Sequence, residues 1–320
     1  MDKLTLQQAQ ERASAIQTAI QQVIVGKPEA VKLAVAALLA ECHILIEDVP
    51  GVGKTTLAKA LARCLSAPMQ RIQFTPDLMP ADIIGVSVYN QKTGDFEFHP
   101  GAVFANIVIA DELNRASPKT QSALLEAMEE RRVSVDGRRY ALPRPFLVVA
   151  TQNPMEMEGT YALPESQRDR FGLRMDIGYP SLESEIGILD ARVQTDPLDS
   201  LEPVTDTDTT IACIKAVAGI WVDPAVKRYL VEVIEATRAS QWCKIGASPR
   251  ASLQLLRLAR AWAVLSGRDY VIPDDIQRLA FPALGHRVML SAEAQLARHS
   301  VSDIIAEAVA TVPVPGRRSR

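Results

Sequence analysis

The stretch "ILIEDVPGVGKTTLAKAL", residues 44–61, places an apolar run, a turn rich in Gly and Pro, and a helical pattern in immediate succession. A strand–turn–helix order whose turn ends on Gly53-Lys54-Thr55 is typical of a phosphate-binding loop. Glycines let backbone N–H groups approach phosphate oxygens, and the following helix directs its positive end at the anion. A plain glycine turn is the alternative. The residues predicted to hold the nucleotide are Pro50, Gly51, Val52, Gly53, Lys54, Thr55 and Thr56.

One position departs from the pattern G-x-x-x-x-G-K-[ST], because Asp48 stands where the first glycine is expected. That glycine shapes the entry of the loop rather than cradling phosphate, and Asp is among the residues that turns tolerate. A carboxylate next to a triphosphate would repel it. We therefore expect the Asp48 side chain to point away or to accept a hydrogen bond from a loop amide.

Outward from this loop, residues 42–180 alternate strand-like and helix-like segments, which predicts a mostly parallel sheet with crossover helices. Five apolar runs supply the candidate strands, at residues 42–47, 69–74, 107–110, 146–150 and 172–177. From about residue 182 onward the pattern predicts helices only. The stretch "VQTDPLDSLEPVTDTDTT" is rich in Pro, Asp and Thr, which favours a domain boundary there. We expect an α/β core with an N-terminal helix over residues 1–195 and a helical domain over residues 196–320.

Composition favours a soluble globular protein. The chain has 320 residues, of which 48% are hydrophobic and 23% charged, and its net charge of −3 gives no basic field that would attract nucleic acid. The polar N-terminus lacks the apolar centre of a signal peptide, and no apolar run near it approaches the roughly 20 residues of a membrane span. The expected location is the cytoplasm. Four cysteines without a C-x-x-C pair are expected to be reduced and buried.

A second motif, "NIVIADELNR" at residues 106–115, delivers Asp111 and Glu112 at the carboxyl end of an apolar strand. Open α/β sheets bind ligands in the crevice at that end. Asp111 and the Thr55 hydroxyl are predicted to hold Mg²⁺, while Lys54 reaches the β- and γ-phosphates. Glu112 is the candidate base that polarises the attacking water. A solvated acidic pair is the alternative for an isolated Asp-Glu, and it is disfavoured beside a phosphate loop.

A third strand, "FLVVATQNP", ends in Gln152 and Asn153. An amide at the tip of this strand could orient water and touch the γ-phosphate without adding charge. Asn-Pro by itself is more often a simple turn, so the prediction for Asn153 depends on the other motifs.

Two arginines complete the candidates. Arg250 follows Ser248-Pro249 and so lies in the first turn of a helix, where the helix dipole disfavours a cation. This position suggests that a distant anion compensates the charge. For Arg170, composition alone favours a surface ion pair with Asp169 or Glu165.

Taken in order, five segments of the chain are "VPGVGKT", "TPDLMPADIIG", "FANIVIADELNRASPKTQSALLEAMEE", "TQNPMEMEGTYALPESQRDRF" and "ASPRAS". Through them the chain, from about Val25 to Ala263, closely resembles the MoxR family of AAA+ ATPases. Aspartate at the position of Asp48 is familiar in that family, which favours a working loop. The resemblance implies that the strand before Asn153 lies between the phosphate-loop strand and the Asp111 strand. It also implies that the C-terminal domain is an all-helical lid.

The resemblance also implies roles that spacing could not give. Asn153 matches sensor 1. Arg250 matches sensor 2, which reaches the γ-phosphate from the helical lid. Arg170 matches the arginine finger, which projects into the nucleotide of the neighbouring subunit. Val25 and Gly26 match the segment that contacts adenine through backbone groups.

Two hairpins are predicted. "VSVDGRRYAL" carries Asp136-Gly137 between alternating residues, which is a strong signal for a two-residue turn. "SVYNQKTGDFEF" has the pattern of another hairpin. Both resemble inserts of the MoxR-containing branch that face the central pore of a ring or a partner. Inert surface loops are the alternative.

The function implied by the resemblance is that of an ATP-driven, Mg²⁺-dependent and chaperone-like remodelling protein. Such a protein is usually a homo-hexamer and works with a von Willebrand factor A domain protein to mature a protein target or to insert its metal or cofactor. A DNA-directed motor is disfavoured by the acidic charge and by the lack of an aromatic–basic stripe. A non-hydrolysing scaffold is disfavoured because Lys54, Asp111, Glu112 and Arg170 are intact. A GTPase is disfavoured because no Asn-Lys-x-Asp sequence occurs.

Overall fold

Two helices precede the first strand in the computed structural model, which describes residues 4–153, 159–191 and 196–316. The strands are β1 (Ile44–Glu47), β2 (Met69–Gln73), β3 (Gly85–Asn90), β4 (Asp95–Pro100), β5 (Ile107–Asp111), β6 (Arg132–Val135), β7 (Arg138–Ala141), β8 (Leu147–Gln152), β9 (Leu173–Met175), β10 (Cys243–Ile245) and β11 (Met289–Leu290). The α-helices are α1 (Leu6–Val23), α2 (Pro28–Leu39), α3 (Lys54–Cys64), α4 (Pro80–Ile84), α5 (Pro118–Glu130), α6 (Glu165–Arg168), α7 (Leu182–Ala191), α8 (Thr207–Ala218), α9 (Pro224–Ala239), α10 (Pro249–Leu265), α11 (Pro273–Leu284), α12 (Ala292–Leu296) and α13 (Val301–Thr311).

Five of these strands form one parallel sheet in the order β2-β5-β8-β1-β9. All five strands predicted from apolar runs are confirmed, and their ends differ from the predicted ones by at most two residues. β8 lies between β1 and β5, which confirms the strand order that the resemblance implied. Because the strands are parallel, they all start at one edge, here called the amino edge, and all end at the carboxyl edge.

The central strands are buried on both faces of the sheet, because helices cover both. On one face, Ile44 and Ile46 of β1 join an apolar cluster with α1, α2, α3 and the C-terminal helices. On the other face, Leu45 and Val108 join a cluster that includes α4 and α5. The strand tips, rather than the faces, are therefore the parts of the sheet that can meet a ligand.

The crossover helices α3 and α5 turn their apolar sides inward. These sides comprise Leu57, Ala60, Leu61 and Cys64 in α3, and Leu124, Leu125 and Met128 in α5. The Ser117 hydroxyl accepts a hydrogen bond from the Thr120 amide at 3.3 Å, so Ser117 is the N-cap of α5. Each helix thus fixes the loop that precedes it against the sheet.

Helices α8 to α13 form the C-terminal unit, here called the lid. Three of them have proline as their first residue, at Pro224, Pro249 and Pro273. The lid also contains an antiparallel pair of β10 with β11, which the prediction of helices alone missed. Arg278 of the lid pairs with Glu29 of α2 at 2.9 Å, so the lid is attached to the N-terminal helices. Residues 192–195 lie outside the described residues, and the division between residues 195 and 196 stays a prediction.

Both predicted hairpins are confirmed. β6 and β7 are joined by Asp136 and Gly137, whose φ angles of 50° and 75° match the left-handed turn that the Asp-Gly pair predicts. β3 pairs with β4 over six residues. The Phe98 ring stacks on the Tyr140 ring with centroids 3.8 Å apart, so the two hairpins support each other.

Among the described residues, no helix combines the length and apolar character that crossing a bilayer requires. Cys42, Cys64 and Cys213 are free and buried, as predicted, whereas Cys243 is half-buried.

Candidate functional site

The phosphate-loop candidate connects β1 to α3 at the carboxyl edge of the sheet. Gly51 and Gly53 have φ angles of 85° and 93°, a region that residues with a Cβ rarely adopt. No atom lies within 4 Å of where a Cβ would be at either position, so backbone conformation rather than crowding requires glycine. Gly53 is the N-cap of α3, and Lys54, Thr55 and Thr56 form its half-buried first turn. Backbone amides of this turn are thereby directed out of the loop.

Lys54 is a partly desolvated cation at the mouth of the loop. Its Nζ donates to the carbonyl oxygen of Asp48 at 2.6 Å. Burial lowers the pKa of Lys54, and the nearby carboxylates of Asp48, Asp111 and Glu112 partly offset this effect. A phosphate group at this place would supply the close anionic partner that favours the charged amine.

The Asp48 side chain links the loop to the segment that follows β9. Its Oδ1 accepts from the Val49 amide at 2.8 Å, and its Oδ2 accepts from the amides of Ile177 and Gly178, both at 2.7 Å. The expectation that Asp48 accepts a hydrogen bond from a loop amide is confirmed. A glycine here could make none of these three bonds, so the departure from the motif has a structural purpose.

A cavity of about 160 Å³ lies beside the loop. Its lining comprises Val23, Ile24, Val25, Lys27, Gly51, Val52, Gly53, Thr56, Ile177, Gly178, Pro180, Ile188, Asp196 and Pro197. Val25, which the resemblance matches to the adenine contact, lines this cavity, and its role there stays a prediction. Its neighbour Gly26 has a φ of 74°, and a Cβ there would collide with Ser184 Oγ. Sequence reasoning missed the part of the lining that comes from Ile177, Gly178, Pro180 and Ile188. The unusual Asp48, which bonds to the amides of Ile177 and Gly178, was the available signal for it.

Asp111 ends β5 at the same edge of the sheet. Its Oδ2 pairs with Arg71 Nη2 at 2.6 Å, and its Oδ1 accepts from the Thr151 hydroxyl at 2.6 Å. The carboxylate of Asp111 and the hydroxyl of Thr55, on the adjacent first turn of α3, are the hard oxygen ligands that Mg²⁺ prefers. The donor set at this edge therefore fits the predicted metal.

Glu112 directly follows β5 with a φ of 54°, an uncommon conformation for a residue with a side chain. Its amide donates to Thr151 Oγ1 at 3.0 Å, which holds the turned backbone in place. Its Oε2 accepts from Gln73 Nε2 at 2.8 Å and from Arg115 Nη1 at 2.9 Å. Glu112 is thus a fixed carboxylate beside Asp111 and Lys54.

Three residues of this site were missed by sequence reasoning: Arg71, Gln73 and Thr151. The register of the sheet sets Gln73 opposite Asp111, and Thr151 belongs to the neighbouring strand β8. Polar positions in the otherwise strand-like "MQRIQ" were the only signal for the first two. Asn153 follows β8 and is buried, so it lies at the carboxyl edge with the other candidates.

Arg170 lies at the opposite edge. It follows α6 and precedes β9, and the nearby Gly172 amide donates to the carbonyl of His43, directly before β1. The four residues of β1 lie between His43 and Asp48, and the five steps from one to the other correspond to roughly 16 Å along the sheet. Arg170 therefore cannot reach the phosphate loop of its own chain.

The partner of Arg170 is neither Asp169 nor Glu165, so that interpretation was wrong. Arg170 Nη1 lies 2.9 Å from Glu129 Oε2 and donates to the Leu125 carbonyl at 2.8 Å. Both partners belong to α5.

Arg250 reaches the same carboxylate from the lid. Its Nη2 pairs with Glu129 Oε1, and its Nη1 lies 3.8 Å from Asp169 Oδ2. The anion expected to compensate its position is thus Glu129. Because Arg250 contacts groups at the amino edge, the expectation that it reaches the γ-phosphate is not met at the phosphate loop of its own chain.

Asp169 also fastens the lid to the sheet. Its Oδ1 accepts from Arg287 Nε at 2.8 Å and from the Ser248 hydroxyl at 2.8 Å. The Arg287 side chain is only 1% exposed, and Asp169 is the neighbour of Arg170 in the chain. The lid and the segment that carries Arg170 are therefore joined by a buried ion pair.

Two family models match the chain. The family described as "ATPase family associated with various cellular activities (AAA)" matches residues 43–173, and the "AAA lid domain" matches residues 235–308. The first range contains the phosphate loop, Asp111, Glu112, Asn153 and Arg170, and the second contains Arg250.

Individual proteins are similar over nearly the whole chain. The uncharacterized protein YeaC of Bacillus subtilis (strain 168) is 50% identical over 300 residues, which cover 94% of each chain. Chaperone MoxR1 of Mycobacterium tuberculosis is 42% identical over 305 residues, covering 92% of this chain and 80% of the relative. A crystal structure from Cytophaga hutchinsonii has a TM-score of 0.90 and 35% identity, covering 97% of this chain and 96% of that chain.

Proposed function

Because the chain belongs to the MoxR family of AAA+ ATPases, we propose that it is a Mg²⁺-dependent ATP hydrolase that remodels or matures a protein target. The observation that carries the proposal is the carboxyl edge, where a phosphate loop, two carboxylates and a buried amide converge. Membership of the family supports ATP hydrolysis. The target, the partner and the assembly state do not follow from family membership and are proposed here.

At the carboxyl edge, Lys54 and the loop amides bind the triphosphate, while Val25 and Gly26 contact adenine. Thr55 and Asp111 hold Mg²⁺, which neutralises phosphate charge when it is bound. Glu112 accepts the proton of the attacking water. Asn153 orients that water and contacts the γ-phosphate.

The remaining catalytic charge comes from a neighbouring subunit of a homo-hexamer. Arg170 cannot reach its own phosphate loop, so it serves the nucleotide held by the next chain. Since Arg250 shares the Glu129 carboxylate with Arg170, it faces the same neighbouring nucleotide. Two cations at this place stabilise the charge that develops on the γ-phosphate during transfer.

The work done with ATP is remodelling of a protein, carried out in the cytoplasm together with a von Willebrand factor A domain partner. The name of the relative Chaperone MoxR1 supports a chaperone-like role. The two hairpins supply exposed apolar side chains, among them Tyr89 and Phe96, on which a protein could bind. Nucleic acid is not the proposed substrate, since the chain is acidic overall.

The test is the variant Glu112→Gln, compared with the wild type in ATP binding and ATP turnover. The amide keeps the shape of the side chain but cannot accept a proton, so ATP should stay bound while turnover is lost. Glu232→Gln is the matched control, because Glu232 forms an exposed ion pair with Arg228 on the lid helix α9. Wild-type turnover in Glu112→Gln would refute the base assignment.

The same variant serves as a trap for the target. A pull-down with Glu112→Gln in the presence of ATP should retain a protein substrate and a von Willebrand factor A domain protein that the nucleotide-free chain does not retain. Retention of nucleic acid alone would favour the DNA-directed class instead.

A further inference from the structure

Glu129, in the last turn of α5, lies between two arginines that come from distant parts of the chain. Its Oε2 is 2.9 Å from Arg170 Nη1, and its Oε1 pairs with Arg250 Nη2. Arg170 precedes the last strand of the sheet, whereas Arg250 belongs to the lid. One carboxylate therefore links α5, the segment before β9 and the lid.

Around Glu129, three arginines (Arg170, Arg250 and Arg287) share only two carboxylates, those of Glu129 and Asp169. Asp169 also approaches Arg250, at 3.8 Å, but it is already engaged by Arg287 and Ser248. Without Glu129, two flexible cations would face each other with no anion directly between them. Like charges at short distance repel, and each side chain would then occupy more rotamers.

The bonding leaves donors for a further anion. Both contacts that Arg170 makes with α5, to Glu129 and to the Leu125 carbonyl, go through Nη1. A guanidinium has five N–H donors in a rigid fork, so Nη2 of Arg170 stays available in the described part of the chain. The side chains of Arg170 and Arg250 are 29% and 38% exposed, which lets an oxygen anion approach.

We propose that Glu129 is a positioning residue, which holds Arg170 and Arg250 side by side as one receptor for the γ-phosphate of the neighbouring subunit. This inference rests on the proposed function, because the anion is the nucleotide of an adjacent chain. Glu129 does not touch that nucleotide. It fixes the spacing and orientation of the two guanidinium groups before the neighbour binds.

The adjacent residue offers a matched control. Glu130 forms an ion pair with Arg132 at 2.7 Å, with both side chains more than 40% exposed, and it contacts neither candidate arginine. The variants Glu129→Gln and Glu130→Gln therefore remove the same charge from neighbouring positions of one helix end, and only one of them releases Arg170 and Arg250.

The experiment measures kcat and KM of ATP hydrolysis, together with ATP binding, for the full-length wild type and both variants. We expect Glu129→Gln to lower kcat by about 10- to 100-fold, because small misplacements of catalytic groups have effects of that size. ATP binding should change less than about twofold, since the carboxyl edge is untouched. Glu130→Gln should leave kcat within about twofold of wild type.

Mixing subunits separates positioning from a merely structural role. Lys54→Ala subunits should not bind ATP but carry an intact Glu129, whereas Glu129→Gln subunits carry an intact phosphate loop. In mixed rings, the intact Arg170 and Arg250 pair of a Lys54→Ala subunit should restore turnover at the phosphate loop of a neighbouring Glu129→Gln subunit. If Glu129→Gln lowers the melting temperature, Glu129→Asp, which keeps the charge, is used in the same mixture.

An unchanged or raised kcat in Glu129→Gln would overturn the inference, and so would failure of recovery after subunit exchange has been demonstrated. Either outcome would leave the proposed function standing, because wild-type turnover would still be present. Absence of ATP turnover in the wild type would instead refute the proposed function and this inference with it.

Discussion

The two edges of the central sheet carry charged clusters of different composition. The carboxyl edge combines one lysine, Lys54, with the carboxylates of Asp48, Asp111 and Glu112. The amino edge gathers Arg170, Arg250 and Arg287 around two carboxylates, Glu129 and Asp169. Of these groups, the carboxylates outnumber the lysine at the first edge, whereas the arginines outnumber the carboxylates at the second.

The difference follows from the parallel strands. Strand starts and strand ends lie on opposite sides of a parallel sheet, separated here by roughly 16 Å along β1. The phosphate loop follows β1, whereas Arg170 precedes β9, so the two lie on opposite sides of the sheet. Arg170 and the Glu129 carboxylate that it shares with Arg250 are therefore remote from the phosphate loop of their own chain.

The largest expected effect concerns ATP binding at the carboxyl edge, and its absence would remove the difference between the two edges. Lys54→Ala should abolish ATP binding, because the β- and γ-phosphates lose the point charge that faces them. Binding of a fluorescent ATP analogue at equilibrium measures this. Lys59→Ala, in the same helix but exposed, is the control and should bind normally. Equal affinity of Lys54→Ala and wild type would refute the phosphate-loop assignment.

At the amino edge the expected effect falls on turnover instead. Arg170→Ala should slow hydrolysis by roughly 10³-fold, by analogy with other arginine fingers, while ATP binding survives. Steady-state turnover and ATP binding are measured side by side. Arg228→Ala, which breaks an exposed i,i+4 pair, should leave both stability and turnover close to those of the wild type.

The same variant tests whether the two edges cooperate across chains. Inactive Arg170→Ala and inactive Lys54→Ala subunits are mixed, so that an intact loop can face an intact arginine. Some turnover should return. Its absence, with exchange of subunits demonstrated, would count heavily against a shared site.

A smaller effect should distinguish the edges by their response to acid. At the amino edge, burial lowers the pKa of His43 to about 4, and its Nδ1 accepts from the Val148 amide at 3.0 Å. The unfolded chain takes up this proton near its ordinary pKa of about 6.5, before the folded chain does. Stability is therefore full above about pH 6.5 and is lost as the pH falls toward 4.

This difference corresponds to about 2 kcal/mol of unfolding free energy between pH 7 and pH 5. Urea unfolding at both pH values measures it. The loss should be smaller in His43→Gln by that amount and unchanged in His99→Gln, since His99 is exposed on a hairpin. Identical pH dependence of His43→Gln and wild type would show that the buried imidazole is not responsible.

Local patterns were enough to predict most of the core. The central strands β1, β5 and β8 are apolar runs that are buried along most of their length, and such runs are visible without tertiary information. The pair of β10 with β11 lacks this signal. Two residues of "CKI" are exposed, and the strands are three and two residues long. No local pattern of that length separates a strand from a loop.

The site residues also differ in whether a local sequence pattern could predict them. Lys54, Asp111 and Glu112 could be predicted because each belongs to a motif that is contiguous in sequence. The contact between Arg250 and Glu129 spans 121 residues and depends on how the lid packs, which no spacing reveals. Gln73 was missed because only the register of β2 on β5 sets it beside Glu112.

The buried pair of Arg287 with Asp169 has a mechanical consequence. Asp169 is bonded to the lid at two points, Arg287 and Ser248, and it is one peptide bond from Arg170. These contacts couple the position of Arg170 to that of the lid. In a ring, a rotation of that lid would displace the arginine that faces the next nucleotide, and each subunit would thereby set the timing of its neighbour.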